Sequence, residues 1–318
     1  MPDTGLSHIA QGADHRLSLL MKHMIPTCLA ALFSLVIAAS GSESFPVDNL
    51  RLWLMADAGI TTENNAGEKG TAKDVVRWLD QSRQGVELVP AYRATTTRPS
   101  LVEKVSAIGG KPALKFEGGG GSRFEVTDAL IGRYKKPFDL NRGTVFLVVS
   151  MSNTSTISPL TLSATADSKT GRGGVGIRRG GKSDSWFCVH YGGPGNGEKI
   201  QSHESKLDTA FHILSVNFDK HMSTLKMIVD GKPTGTKLRD QSKLPLDPIH
   251  FVQVGGHGVL DPPGDPGAEW FFNGQIAEII VFDRILGEDP GIDPFASVGS
   301  YLQKKYQIHG NFINPAKK

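Results

Sequence analysis

From about residue 50 the chain is written in apolar runs of four to eight residues, each closed by Gly, Pro, Asn or Asp. Runs this short suit strands, because an amphipathic helix needs about ten residues or more to complete its stripe. The runs are Leu50–Met55, Val75–Leu79, Ala113–Phe116, Thr144–Val149, Leu160–Ser163, Trp186–Tyr191, His212–Phe218, Leu225–Val229, Phe251–Val254 and Gln275–Phe282. Several alternate with period two: Leu225, Met227 and Val229 share one face, and Asp230-Gly231 follows as a dipeptide suited to a tight hairpin turn. The 37 Gly and 18 Pro supply turns between the runs. No amphipathic segments separate them, so βαβ units and a parallel sheet are excluded. The pattern predicts an all-β fold, a two-sheet antiparallel jelly-roll sandwich with one short C-terminal helix.

That helix starts at about Asp293, a capping residue followed by Pro294, and places Phe295, Val298, Leu302 and Tyr306 at helical spacing. It closes near Ile308, with 309–318 expected as a frayed tail. Gln275–Asp283 is apolar on both sides and is expected as a central strand. Strict alternation puts Ile276, Ile280 and Phe282 on one face and Ala277, Ile279 and Val281 on the other. Glu278 interrupts the first face, so it is expected near a rim or beside a cation.

The start of the chain has another character. Met21-Lys22-His23-Met24 precedes the largely apolar stretch Ile25–Ala39, and small residues follow. This is the pattern of a secretory signal peptide, with Ala38 and Ser40 at the −3 and −1 positions and a mature start between Ala39 and Glu43. The stretch is shorter than the roughly 20 residues of a membrane span. Residues 1–40 are thus expected to be an N-terminal extension and leader, giving a secreted, cell-surface or periplasmic protein with no integral span after signal removal. Removing them takes two cations, Arg16 and Lys22, and two anions, Asp3 and Asp14, so the net charge stays at +3. No basic block is present, and nucleic acid is not an expected partner. Cys28 leaves with the leader, and Cys188 alone cannot form an internal disulfide, so stability must come from a large core.

The order of motifs resembles the LamG-like, concanavalin A-like jelly-roll domains of exported bacterial proteins. Leu52-Trp53-Leu54-Met55-Ala56-Asp57, Val76-Arg77-Trp78-Leu79-Asp80-Gln81-Ser82 and Gly110-Lys111-Pro112-Ala113-Leu114-Lys115-Phe116 carry the early part. Thr144–Val149, Phe272–Arg284 and Tyr301-Leu302-Gln303-Lys304-Lys305-Tyr306 carry the rest, the Phe272–Arg284 segment being the most specific. The resemblance spans about 48–308 and implies a single jelly-roll domain. After Asp80 the chain reads Gln81-Ser82-Arg83-Gln84-Gly85-Val86, where the family often has Asp-x-Ser-Gly-Asn-Gly-Asn, a departure that touches any function tied to that turn.

Several strings invite chemistry. Gly176-Ile177-Arg178-Arg179-Gly180-Gly181-Lys182-Ser183 satisfies the Walker A pattern, but a phosphate cradle needs a helix opening at the Lys-Ser pair. Strand-forming residues follow instead, so Gly176–Ser183 is expected as a turn between strands. Glycoside hydrolases share the jelly-roll shape, and they set carboxylates at i, i+2 and i+4 on one strand, a pattern missing here. The histidines show no zinc-ligand spacing and no Gly-x-Ser-x-Gly elbow occurs. Cys188 lies mid-strand, the setting of a buried inert thiol. Calcium needs only oxygen ligands, and Asp57, Asp80, Asp261 and Asp265 in loops are its weak candidates, though turn formation explains each. Trp53 and Trp78 belong to apolar strands and are expected in the core. Trp270 and Phe271 follow a Pro- and Gly-rich loop and are the candidate ligand-binding aromatics, since aromatic faces stack on sugar rings.

These features favour an exported, non-catalytic binding module for a glycan or another extracellular polymer. The alternatives are a structural or adhesive surface protein with a protein partner, and a glycoside hydrolase.

Overall fold

A computed structural model describes residues 45–64, 73–91, 98–117, 128–151, 157–164, 174–179, 186–191, 197–203, 208–219, 224–237, 248–256, 271–287 and 294–312. Contacts divide the chain into two units, Met1–Ser44 and Phe45–Lys318, and the first lies outside the described residues, as do Asp261, Asp265 and Trp270. Residues 45–64 open on β1 (Leu50–Met55) and β2 (Ile60–Asn64), followed by β3 (Lys73–Leu79), β4 (Glu87–Pro90), β5 (Ser100–Val105) and β6 (Lys111–Glu117). Next come β7 (Leu130–Phe138), β8 (Arg142–Met151), β9 (Ile157–Ser163), β10 (Gly174–Arg179), β11 (Trp186–Tyr191) and β12 (Gly197–His203). The remainder is β13 (His212–Asp219), β14 (Thr224–Val229), β15 (Lys232–Pro233), β16 (Gly235–Lys237), β17 (Ile249–Val254), β18 (Asn273–Phe282) and a closing helix, α1 (Pro294–Tyr306).

All pairings are antiparallel. One sheet runs β14–β13–β8–β18, and the far edge of β18 is shared by β6 at its start and β1 at its end. The other runs β4–β7–β17–β9–β10–β11–β12–β16. Strands β3 and β5 link the two at one side. This is the two-sheet antiparallel jelly roll that the turn-punctuated pattern predicts, with one short helix. The inner faces meet in the main core: Leu52, Leu54, Leu147 and Val216 from the first sheet face Leu130, Leu160, Val252 and Val254 from the second. A second apolar cluster lies on the far side of the first sheet, where Phe146, Ile213, Ile280 and Phe282 pack against Phe295, Val298, Leu302 and Tyr306 of α1. Central strands therefore bury both faces, as β18 was expected to.

Four expectations change. First, the pleat of β18 is broken: Ile276 pairs with Val149 and Glu278 with Val148, so Ala277 is the extra residue of a bulge. Ile276 then joins Ile279 and Val281 in the main core, and Ala277 joins Ile280 and Phe282 beneath the helix, the reverse of strict alternation. Second, Gly176–Arg179 is not turn but the end of β10, with Arg179 paired to Trp186; the connecting residues 180–185 lie outside the described ones. The expected hairpin is present, four residues shorter at its start. Third, the tail does not fray at 309. Phe312 is buried, stacks near Phe146 and Phe295, and would leave no room for a Cβ at Gly299, its ring atom lying 2.2 Å from that position. Fourth, the domain begins before residue 48, because Phe45 stacks on Trp53 with 4.5 Å between ring centroids.

The hairpin at Asp230-Gly231 forms as expected, with φ of 49° and 76°. Its glycine has a second reason: a Cβ there would come within 2.2 Å of the Asn311 backbone, which donates its N–H to the Asp230 carbonyl at 3.2 Å. The returning tail is thus seated on the turn.

Candidate ligand-binding face

Strand register decides which residues of the second sheet point away from the core. Val252 faces inward with its partners Leu162 and Gly132, so Phe251 and Gln253 face outward, with Arg133, Ser163, Ile131 and Thr161 as direct neighbours. Along β4, Val89 joins the row beside Ile131. In the middle of this face Gln253 donates from Nε2 to Ser163 Oγ at 3.3 Å, and Gln253, Thr161 and Ser163 are all buried. Toward β4 the face opens. Ala91, Ala129 and Ile131 form a small apolar floor against which Phe251 and Phe271 pack, both half-buried. The Arg133 guanidinium lies over the Phe251 ring, 5.6 Å from its centroid, with the side chain exposed. Val89 is 41% exposed, one of two large apolar side chains so exposed among the described residues. The result is a ledge with two aromatic rings, an aliphatic floor and a cation at its edge.

Phe271, flagged by sequence, is on this ledge. Phe251 and Arg133 were not flagged as ligand-facing. For Arg133 the only local signal was a pair of cations, Arg133 and Lys135, on either side of the buried Tyr134 in β7.

Several described carboxylates are engaged within the fold. Asp80 Oδ1 accepts the N–H groups of Trp53 at 2.8 Å and Ser82 at 2.9 Å, and Oδ2 accepts the Ser82 hydroxyl at 2.6 Å. Burial raises the Asp80 carboxyl above the usual range against the lowering pull of these hydrogen bonds. Asp57 Oδ1 holds the Lys305 ammonium at 2.9 Å. Among the described residues no three His, Cys, Asp or Glu side chains group as a metal site. Asp128, also buried, accepts the Glu117 N–H at 2.6 Å.

Glu278 has the densest network. It is fully buried between β18 and α1, not at a rim. Its Oε1 accepts Trp53 Nε1 at 2.6 Å, and its Oε2 accepts Tyr306 Oη at 2.7 Å, Lys305 Nζ at 2.8 Å and Tyr301 Oη at 3.4 Å. The expected cation partner is therefore Lys305, supplied by the helix. Burial first, and the Glu278 charge second, hold both phenols far above the usual tyrosine range, so they stay protonated and donate.

On β13 the His212 ring is gripped from both sides, Nδ1 on Asp230 at 2.7 Å and Nε2 on Asp208 at 3.1 Å. Burial is the largest single influence and opposes protonation, but the hydrogen bonds and charges of Asp230 and Asp208 together raise the pKa above 6.5. A raised folded-state pKa adds stability that is complete below the unfolded value and fades as pH climbs through the folded value. His212→Gln is therefore expected to lose more stability, relative to the parent, at pH 5.5 than at pH 8.5. Equal losses in urea melts at the two pH values would show that folding leaves the proton affinity of the ring unchanged.

No family model matches the chain, and no curated protein matches it. Similar solved structures exist. The binding domain of botulinum neurotoxin DC in complex with SialylT superposes with a TM-score of 0.52 at 9% identity, over 82% of this chain and 52% of that one. A structure of botulinum neurotoxin type C, whose cell entry depends on interaction with two ganglioside molecules, gives 0.50 at 11% identity over 81% and 52%. A heptameric SAP-like pentraxin from Limulus polyphemus gives 0.40 at 13% identity, over 54% of this chain and 76% of that one. This chain spans about half the length of the neurotoxin chains. What is shared is the fold, a jelly-roll sandwich.

Proposed function

We propose that the protein is an exported, non-catalytic LamG-like module that binds a glycan on the outward ledge of the second sheet. The observation that carries this reading is the grouping of half-buried Phe251 and Phe271 over an aliphatic floor, with Arg133 at its edge. Aromatic rings offer a flat apolar face to the C–H side of a pyranose, and a neighbouring cation supplies hydrogen-bond donors for its oxygens. The buried carboxylates support a role without catalysis, since Asp80, Asp128 and Glu278 all accept hydrogen bonds from the protein itself. The fold is compatible with sugar binding, as the neurotoxin structures that share it involve SialylT and gangliosides. The leader pattern in residues 21–40 supports export, and among the described residues no helix is long and apolar enough to cross a membrane.

A glycan array probed with the exported chain tests the reading. Binding is expected, and Phe271→Ala or Phe251→Ala should weaken it about tenfold through the lost ring contact. An array without signal, or binding indifferent to both substitutions, would rule out this face as a glycan site.

A further inference from the structure

We infer that the glycan is anionic, carrying carboxylate or sulfate groups; this rests on the ledge being the binding site. Residues 133–139 read Arg-Tyr-Lys-Lys-Pro-Phe-Asp, and the side chains of Arg133, Lys135 and Lys136 are exposed. None of the three forms an ion pair among the described residues. Tyr134 turns into the main core, so Arg133 and Lys135 project outward on the same side, roughly 7 Å apart along the strand. Lys135 lies against the loop before β4, its Nζ 3.5 Å from where a Cβ at Gly85 would be. The nearest acid on the neighbouring strand, Glu87, already faces Arg77 at 3.9 Å. Exposed cations of a protein with a net charge of only +3 are usually offset nearby, and here two stand beside an aromatic ledge without an ion-pair partner among the described residues.

The chemistry of such a place is specific. The exposed Arg133 guanidinium, 5.6 Å from the centroid of the Phe251 ring, carries an N–H fork that matches a carboxylate or sulfate in two parallel hydrogen bonds. A sugar ring stacked on the aromatic surface would bring its acidic substituent to the fork, and a second acidic group along the polymer would meet Lys135. Duplex nucleic acid fits less well, because its affinity comes from many phosphate contacts along a broad basic surface.

The test is affinity electrophoresis of the exported chain through gels containing polygalacturonate, chondroitin sulfate, dextran or duplex DNA. Retardation by one or both acidic glycans, weakened by added salt, is the expected result; polygalacturonate offers carboxylates alone, and chondroitin sulfate offers both groups, so retardation by the second without the first points to sulfate. Arg133→Gln should weaken the binding by about tenfold and Lys135→Gln by less, while Lys304→Gln on the helix should leave it unchanged. Dextran retarding the protein as strongly, with Arg133→Gln silent, would overturn the anionic assignment and leave the glycan-module reading standing. Equal retardation by DNA would reduce the effect to general polyanion binding and overturn the assignment too. Retardation by no polymer would sink both.

Discussion

Lys305→Met is expected to destabilise the domain by about 3–5 kcal/mol, among the largest effects of any single substitution, because it strands a buried charge. Glu278 has no exposure, and among the described residues Lys305 is the one cation that touches it, at 2.8 Å. Trp53, Tyr301 and Tyr306 would continue to donate, but neutral donors offset only part of the cost of a carboxylate removed from water. The loss should be largely recovered when Glu278→Gln is added, since the amide needs no counter-charge. Urea unfolding followed by fluorescence gives all four corners of the double-mutant cycle. A Lys305→Met protein that unfolds at the parent's midpoint would mean that the pair contributes nothing and that the three neutral donors suffice.

The closing helix should matter as much. Leu302 is fully buried between α1 and the first sheet, beside Phe295, Val298 and Tyr306. Leu302→Ala is expected to cost about 2–5 kcal/mol, the range for removing a large apolar side chain from a packed site. Ending the chain before Pro294 should do more than destabilise it. Phe146, Ile213, Ile280 and Phe282 would lose their cover, as would Glu278 its cation. The product should be poorly soluble, with an apolar patch on the outer face of its first sheet. If the truncated chain stays monomeric and melts with the parent, the helix is an appendage and the second cluster is not part of the core.

These two expectations arise from different depths of legibility. The helix was readable in advance: Pro294 at its start and apolar residues at 295, 298, 302 and 306 specify position and buried face together, since 3.6-residue periodicity is local. Leu50–Met55 and Trp186–Tyr191 were readable to the residue for the same kind of reason. Strands β7, β10 and β12 were not. Leu130–Phe138 contains three cations and a proline, Gly174–Arg179 spends two outward positions on glycine, and Gly197–His203 is mostly polar. Their strand character comes from pairing, of β7 with the distant β17 and of β10 and β12 with the preceding β9 and β11, which outweighs weak local preference. The ledge was half legible as a consequence. Phe271 stood out beside its loop, but Arg133 became meaningful only once β7 was known to lie next to β17.

By itself the sequence determined the class of the fold, the hairpin at Asp230-Gly231, the burial of β18 on both faces and the helix that covers it. Each depends on a period or a turn that a few neighbouring residues complete. Only the tertiary structure decided how the faces are populated. The register of β18 against β8 places a bulge at Ala277, and that single extra residue turns Ile276 into the core while Glu278 keeps the face of Ile280 and Phe282, beneath the helix. There Trp53, 225 residues away in sequence, and Lys305, 27 residues away, converge on one carboxylate. A burial cost of several kcal/mol is met by groups that no local pattern links, because a charge in a low-dielectric interior selects its partners by distance in space.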